Sequence, residues 1–465
     1  MRKSLLTLAL ALAFPSVFAQ SRGPEADESL ARGPSRVEIY GIVDVGLEHQ
    51  DVGGVSATRI SSGISAGTRI GVRGTEEIGR GMRAVFALES RVEADTGSVT
   101  NRGPLFYCQF PNSAVISCPG ITLTVPVTPA LAPIVLGGVN AVNQQLLQAV
   151  TTVNSAGALF DRQAFAGLIT PVGAFLLGRQ YTPGYEVMNR FSAFADSTSG
   201  QIGQGYSALA IRSNNAIQYR AELAGFTFSA MYGFGGTEVN RNERTTGPGK
   251  GDDFMGLNLM YLTPMFSVGA GYNRNNTVTL GQPAESQTGL ETTNVGGTFT
   301  LGTVKLFAQY MQRKNDNPVI TQTDLQNLIL STGGNQAAIA SILGGLYINA
   351  FDVDAMRGMP GKVDTKIYHL GLTWDVGPGR LYAAYNDATD KANDVWDTED
   401  AKLRHMAIAY FYNLSRRSQL YAVYALANNS GSARMALGAA GYAGGFTTAR
   451  GEDASAIQFG MRHAF

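Results

Sequence analysis

The sequence predicts an all-β fold, a sixteen-stranded antiparallel transmembrane β-barrel with long external loops and short periplasmic turns. Three observations predict it: an export signal, repeated alternation of apolar and polar residues, and connections that are alternately short and long. The chain has 465 residues, of which 56 are glycine and only 15% are charged, against about 25% in soluble domains. Its 19 Tyr and 22 Phe exclude a low-complexity disordered chain.

The N-terminus has the features of a secretory signal peptide, which we assign to residues 1–19. Arg2 and Lys3 precede an apolar run at 5–14 that is too short to cross a bilayer, and small residues at 17–19 form a cleavage site. Its removal leaves 34 basic and 36 acidic residues and a formal charge of −2, which gives no reason to expect a nucleic-acid partner. Residues 20–35 are polar and contain Pro and Gly, so we expect a flexible tail before a single barrel domain at 36–465.

Alternation with a period of two, which is typical of strands, recurs along the chain. In "RVEIYGIVDVGLEH" (36–49) and "IRSNNAIQYRAEL" (211–223), apolar residues take one face and Arg, Glu, Gln and Asn take the other. No run of eighteen apolar residues follows the signal peptide, so helical membrane spans are not expected. A soluble sandwich would alternate too, but polar faces so rich in arginine favour a barrel with water inside.

The predicted connections are seven short turns and eight long loops, which together join sixteen strands. The long loops are predicted at 49–66, 94–158, 181–206, 237–251, 276–291, 314–363, 388–400 and 428–453. An even strand number with tight turns at one end is typical of outer-membrane barrels, because a chain in lipid must pair every backbone amide. Sixteen strands enclose an aqueous lumen.

Several segments in the right order resemble the trimeric porins of Gram-negative bacteria, in particular the β-proteobacterial branch. The resemblance rests on "IYGIVDVGLEH", "TRIGVRGTEEIGRGMRAVFALE", "YNLSRRSQLYAVYAL" and the terminal "FGMRHAF". It implies an outer-membrane homotrimer in contact with lipid and lipopolysaccharide, inserted by the barrel-assembly machinery. It also implies a water-filled channel for passive diffusion of small hydrophilic solutes and ions, with no cofactor, no metal and no catalysis.

The resemblance also implies a constriction formed by the third long loop, about 181–206. Wall arginines are carried over onto Arg69, Arg162 and Arg212, and loop acids onto Glu186 and Asp196. The polar faces of the strands add further lumen charges: Arg73, Arg83, Arg91, Arg220, Glu38, Asp44, Glu89 and Glu222.

The excess of arginine predicts a weak-to-moderate preference for anions. The same prediction follows from Ser192, which stands where enterobacterial relatives carry an acid. The alternative is a substrate-selective channel with a solute site shaped by its long loops. Two other classes were weighed: an outer-membrane enzyme, for which no His–Ser or His–Asp constellation stands out, and an adhesin or structural barrel with a plugged lumen.

Two further features, a cysteine pair and an acidic stretch, lie in predicted loops. Cys108 and Cys118 lie in an exported chain and are a disulfide candidate, with two buried thiols as the alternative. The acidic stretch 387–400 lacks EF-hand spacing and is predicted to be a solvated loop rather than a calcium site.

The last strand, 453–465, is predicted to close the barrel against the first strand with its odd residues towards lipid. His463 is then a polar exception near the rim. By resemblance, the terminal Phe465 is the signal read during assembly.

Overall fold

The computed structural model describes residues 35–99, 158–195, 197–201, 211–234, 253–275, 290–315, 356, 363–391, 399–438, 447 and 449–465. It also gives the backbone of short strands at Gln109–Asn112, Val115–Cys118, Ile121–Thr124, Val353–Asp354 and Met359–Pro360. The signal peptide, Cys108, the side chain of Cys118, Asp196 and most of the loops 94–158 and 314–363 lie outside the described residues. In the described part of the chain, no helix is long and apolar enough to cross a bilayer.

Seventeen antiparallel strands form one sheet. They are β1 Arg36–Val52, β2 Val55–Ser62, β3 Arg69–Gly79, β4 Met82–Arg91, β5 Gln163–Thr170, β6 Gly173–Tyr181, β7 Arg212–Leu223, β8 Phe226–Gly233, β9 Phe254–Leu262, β10 Phe266–Asn275, β11 Leu290–Leu301, β12 Val304–Asn315, β13 Val363–Val376, β14 Gly379–Asp390, β15 Ala401–Asn413, β16 Ser418–Gly431 and β17 Ala454–Ala464.

The sheet closes on itself and has sixteen positions around its circumference. One edge of β1 pairs with β17, as the sequence predicts. The other edge pairs with β2 along 45–52 and with β3 along 36–42, so β2 and β3 together fill one position. The predicted sixteen-stranded barrel is confirmed, with β2 and β3 as one interrupted strand.

The first predicted long loop, at 49–66, is wrong. β1 continues to Val52 and returns in β2 after a two-residue turn at Gly53 and Gly54, both of which have positive φ. The glycines permit this tight hairpin. The strand signal of "VSATRISS" was weak because small polar residues occupy both of its faces.

The alternation of apolar and polar residues determines which side chains face outwards and which face the lumen. On β1, Val37, Ile39 and Leu47 are exposed outwards, whereas Glu48 and Gln50 are buried inside. On β17, His463 and Phe465 are exposed on the outward face, as predicted. His463 Nδ1 lies 2.9 Å from the Ser418 hydroxyl, so the polar exception has a polar partner on the next strand.

Phe465 completes the seam between β17 and β1. Its backbone exchanges hydrogen bonds of 3.0 and 3.2 Å with Gly41. A Cβ atom at Gly41 would lie 2.4 Å from the Phe465 ring, so only glycine leaves room for the terminal ring. The last residue is therefore part of the closed sheet.

A segment after β6 turns into the barrel, and we call residues 182–201 the inner loop. It begins with the short helix α1, Pro183–Arg190, whose residues are mostly buried. The contacts of α1 are with β8, β9, β10 and β11. The inner loop then reaches the opposite side, where the Thr198 amide donates to the Ile64 carbonyl at 2.9 Å.

Candidate functional site

Four arginines converge on one side of the lumen, and we call this group the arginine wall: Arg69 on β3, Arg91 ending β4, Arg162 before β5 and Arg212 beginning β7. Between 0 and 8% of each residue is exposed. The predicted arginines Arg69, Arg162 and Arg212 are thus brought together with Arg91. They lie beneath other parts of the chain rather than fully solvated, so each needs charged or polar partners.

Glu89 is the central acceptor of the arginine wall. One carboxylate oxygen accepts from Arg162 Nε at 2.6 Å and the other lies 3.3 Å from Arg69 Nε. The Tyr40 hydroxyl donates to the same carboxylate at 3.1 Å. Glu89 is fully buried, so its charge is compensated by these guanidinium groups rather than by water.

Tyr181 joins two of the arginines at the start of the inner loop. Its hydroxyl accepts from Arg162 at 3.0 Å and from Arg212 at 2.9 Å. The Arg212 guanidinium also lies 4.5 Å from the centre of the Tyr181 ring, within the range of a cation–π contact. The rings of Tyr181 and Tyr185 are stacked, with centroids 5.2 Å apart.

The interruption between β2 and β3 makes room for the arginine wall. A Cβ atom at Gly67 would lie 2.8 Å from an Arg162 nitrogen and 3.6 Å from an Arg91 nitrogen. Asp44 holds this interruption, because its carboxylate accepts from the amides of Ser65 and Ala66 and from the Tyr421 hydroxyl. Within the described residues, the Asp44 carboxylate therefore holds the backbone between β2 and β3 and binds the Tyr421 side chain.

Other predicted charges lie apart from the arginine wall. Glu186 on α1 accepts from Arg220 and from Asn258. Arg73 on β3 pairs with Glu38 at 2.9 Å. Arg83 and Glu222 occupy inward register positions near the short-turn ends of β4 and β7.

The opposite half of the barrel carries neutral side chains that hold the inner loop, and we call it the amide–histidine wall. Asn258, Asn273 and Asn294 bind the first turn of α1 with Nδ2 or Oδ1 contacts of 2.8–3.1 Å. Gln309, His369, Asn386 and His405 follow as direct cross-strand neighbours on β12 to β15. This row continues the attachment along the rest of the loop.

Two histidines and one asparagine form a continuous hydrogen-bonded chain. The Ala193 amide donates to His369 Nε2 at 3.1 Å, and His369 Nδ1 lies 2.6 Å from Asn386 Oδ1. Asn386 Nδ2 lies 2.9 Å from His405 Nδ1, and His405 Nε2 lies 2.9 Å from the Ser199 carbonyl. All four bonds form only when both imidazoles are neutral, His369 with its proton on Nδ1 and His405 on Nε2.

Tyr181, His369, His405 and the amides that hold the loop were not predicted from the sequence. The sequence did carry a signal for the histidines, because both lie at inward-facing positions of their strands. His369 shares this face of β13 with Thr365, and His405 shares this face of β15 with Leu403. Tyr181 had no such signal, because Gly178 adopts a φ of 124° and the simple alternation of β6 stops there.

Comparisons with known proteins agree with this architecture. A family model described as Gram-negative porin matches residues 6–432. Outer membrane porin protein 32 of Delftia acidovorans and an outer membrane porin protein of Bordetella pertussis are each 23% identical to the chain, over the whole of both sequences.

Solved structures show the same fold. The anion-selective porin from Comamonas acidovorans matches with a TM-score of 0.62 and 21% identity, covering 93% of this chain and all of that one. OmpT of Vibrio cholerae in its trimer form matches with a TM-score of 0.53 and 16% identity, covering 93% of this chain. Since the family model spans most of the residues and the barrel has the same architecture, the chain belongs to the Gram-negative porins, which places it in the outer membrane.

Proposed function

We propose that the chain forms a water-filled diffusion channel for small hydrophilic solutes that prefers anions to cations. The observation that carries the proposal is the arginine wall, in which Arg69, Arg91, Arg162 and Arg212 meet on one side of the lumen. The anion-selective porin of Comamonas acidovorans, which shares the fold, supports the same reading.

The charge balance of the arginine wall supports the sign of the preference. Arg179, whose Nε donates to the Asp161 backbone carbonyl, adds a fifth arginine to this group. Glu89 and Glu93 pair with guanidinium groups of the group, and the Asp161 carboxylate accepts from the Arg91 backbone amide. Arginine stays protonated at any accessible pH. An excess of positive charge in a partly desolvated wall attracts anions over about 8 Å at physiological ionic strength.

The individual roles follow from the contacts. Arg162 and Arg212 supply the positive potential, and Arg69 and Arg91 reinforce it. Glu89 keeps the guanidinium groups in place without neutralising all of them. Glu186 holds α1 to β7 and β9, and Asp196 is proposed as the acid that faces the wall from the inner loop.

We also propose that the channel is a homotrimer inserted by the barrel-assembly machinery, in contact with lipid and lipopolysaccharide. The outward faces carry exposed apolar side chains on strand after strand, such as Leu257, Leu370 and Ile408. Lipid or a neighbouring barrel can cover such faces. The trimer form of the Vibrio protein is consistent with this assembly.

A salt gradient across a planar bilayer tests the proposed preference. The purified channel in a tenfold KCl gradient is expected to give a reversal potential with the sign of chloride permeation. A reversal potential of the opposite sign would exclude an anion-preferring channel. The same recording shows whether the barrel conducts at all.

Deletion of Phe465 tests the assembly signal. The variant loses the ring that lies over Gly41 and the last pair of seam hydrogen bonds, so we expect a low yield of folded trimer in the outer membrane. Channels that do assemble should conduct as the wild type does. A normal yield of folded trimer would contradict the proposed role of the terminal residue.

A further inference from the structure

A second segment of the chain also lies inside the barrel. Residues Ser432–Gly438, which we call the second inner segment, follow β16 directly. All seven are buried, and the most exposed of those with a measured fraction, Arg434, is 9% accessible. A loop at the mouth of a barrel would normally be solvated, so its burial shows that the segment is packed against other parts of the chain.

Inward-facing side chains of three strands hold this segment. Asn429 on β16 exchanges two hydrogen bonds with the backbone of Met435, of 2.8 and 3.0 Å. Gln50 on β1 donates to the Leu437 carbonyl at 2.5 Å, and Gln458 on β17 donates to the Gly438 carbonyl at 3.0 Å. These contacts fix the segment against the inner surface, starting near the rim, because Asn429 and Gln50 each lie two residues from the end of their strands.

The contact with Gln458 shows how deep the segment reaches. Gln458 lies four residues after Ala454, the first residue of β17, which is about 14 Å along the strand at roughly 3.4 Å per residue and about 10 Å of depth for a strand tilted by about 40°. The same side chain accepts from the Ser199 amide of the inner loop at 2.9 Å. One glutamine therefore joins the inner loop and the second inner segment at the same depth in the lumen.

The inner surface beneath the segment is apolar, unlike a water-facing wall. Buried side chains of the segment, including Met435 and Leu437, belong to one hydrophobic cluster with Phe194 of the inner loop. The small residues of the wall in this cluster are Ala384, Ala388, Ala401, Ala407, Ala409, Ala425, Ala427, Ala454 and Ala456. Alanine leaves space for a peptide segment to pack directly against the strands.

We infer that the second inner segment permanently fills the part of the lumen next to β14–β17, so that permeating ions pass through the remaining cross-section, in the half of the barrel that carries the arginine wall. This inference rests on the proposed function in one respect: it specifies which side of the channel the permeating ions use. It makes Ser432–Gly438 a determinant of both conductance and ion preference, because every permeating ion is kept near Arg162 and Arg212.

Removal of the segment tests the inference. Gly451 lies close to Gly431, with 3.7 Å between its constructed Cβ and the Gly431 carbonyl oxygen, so two glycines can replace residues 432–450. We expect the single-channel conductance to rise roughly 1.5- to 2-fold because the water-filled cross-section grows. The anion preference should fall, because ions gain a path remote from the arginines. Unchanged conductance in a folded deletion variant would overturn the inference.

Thiol labelling provides a test that does not depend on the deletion variant folding. In a background with Cys108→Ser and Cys118→Ser, Leu437→Cys should react slowly with a charged maleimide added to intact cells. Ser430→Cys, at an exposed position near the end of β16, is the matched control and should react fast. Equally fast labelling at both positions would overturn the inference. Higher conductance after deletion, together with no anion preference in the wild type, would refute the proposed function but not the second inner segment.

Discussion

The arginine wall and the amide–histidine wall occupy opposite halves of one barrel and differ in charge and in the partners of their side chains. Arg162 and Arg212 are charged groups that both donate to the Tyr181 hydroxyl. His369, Asn386 and His405 are neutral groups, each with a specific hydrogen-bonding partner. The comparison indicates that ion preference and loop attachment are separate properties, which substitutions on each half should change independently.

Glu89→Gln should have the largest effect on stability. The substitution leaves the buried guanidinium groups of Arg69 and Arg162 without their carboxylate, and breaking a buried ion pair typically costs about 3–5 kcal/mol. Unfolding of the purified barrel in guanidinium chloride measures the loss in the free energy of unfolding. Glu38→Gln, at a carboxylate 33% exposed, is the control and should cost at most about 1 kcal/mol. Equal losses in both variants would show that the arginine wall does not depend on Glu89.

His369→Ala should loosen the inner loop and leave ion preference unchanged. The Ala193 amide loses its acceptor, and an unsatisfied buried donor costs about 1–3 kcal/mol. Hydrogen exchange at the Ala193 amide should therefore be faster, and the open-channel current should be noisier. His463→Ala, on the lipid-facing surface, is the matched control and should change neither. A reversal potential of opposite sign in His369→Ala would contradict the prediction that ion preference does not depend on the amide–histidine wall.

Lowering the pH should loosen the inner loop of the wild-type protein as the His369→Ala substitution does. A proton added to Nε2 of His369 would face the Ala193 amide, and one added to Nδ1 of His405 would face Asn386. The attachment is therefore complete when both rings are neutral and is lost as either becomes protonated at lower pH. Channel noise should increase as the pH falls, and the increase should be smaller in His369→Ala. Noise that does not change with pH would show that these rings do not hold the loop.

The sequence predicted the arginine wall better than the amide–histidine wall, for a physical reason. Arginine on the polar face of a strand signals an interior charge, and Arg69 and Arg162 were found by that rule together with family resemblance. An asparagine or histidine that binds backbone looks like any other inward polar residue, because its partner is a distant loop amide with no side-chain signature. The seam at Phe465 was predictable because alternation extends to the last residue.

The filled part of the lumen was not predictable from alternation. β15 carries Ala407 and Ala409 inside and Met406 and Ile408 outside, so both of its faces are apolar. Such a strand is equally compatible with a packed core and with a lipid-facing surface. Only the position of the second inner segment distinguishes these possibilities.

Paired glutamine substitutions on the two walls test the central claim most directly. The measurement is the reversal potential in a KCl gradient for Arg162→Gln/Arg212→Gln and for His369→Gln/His405→Gln, with the exposed Arg404→Gln as a control for net charge. The arginine pair should shift the potential clearly towards cations, while the histidine pair and the control leave it near the wild-type value. An unchanged potential in the arginine pair, or an equal shift in all three variants, would contradict the account.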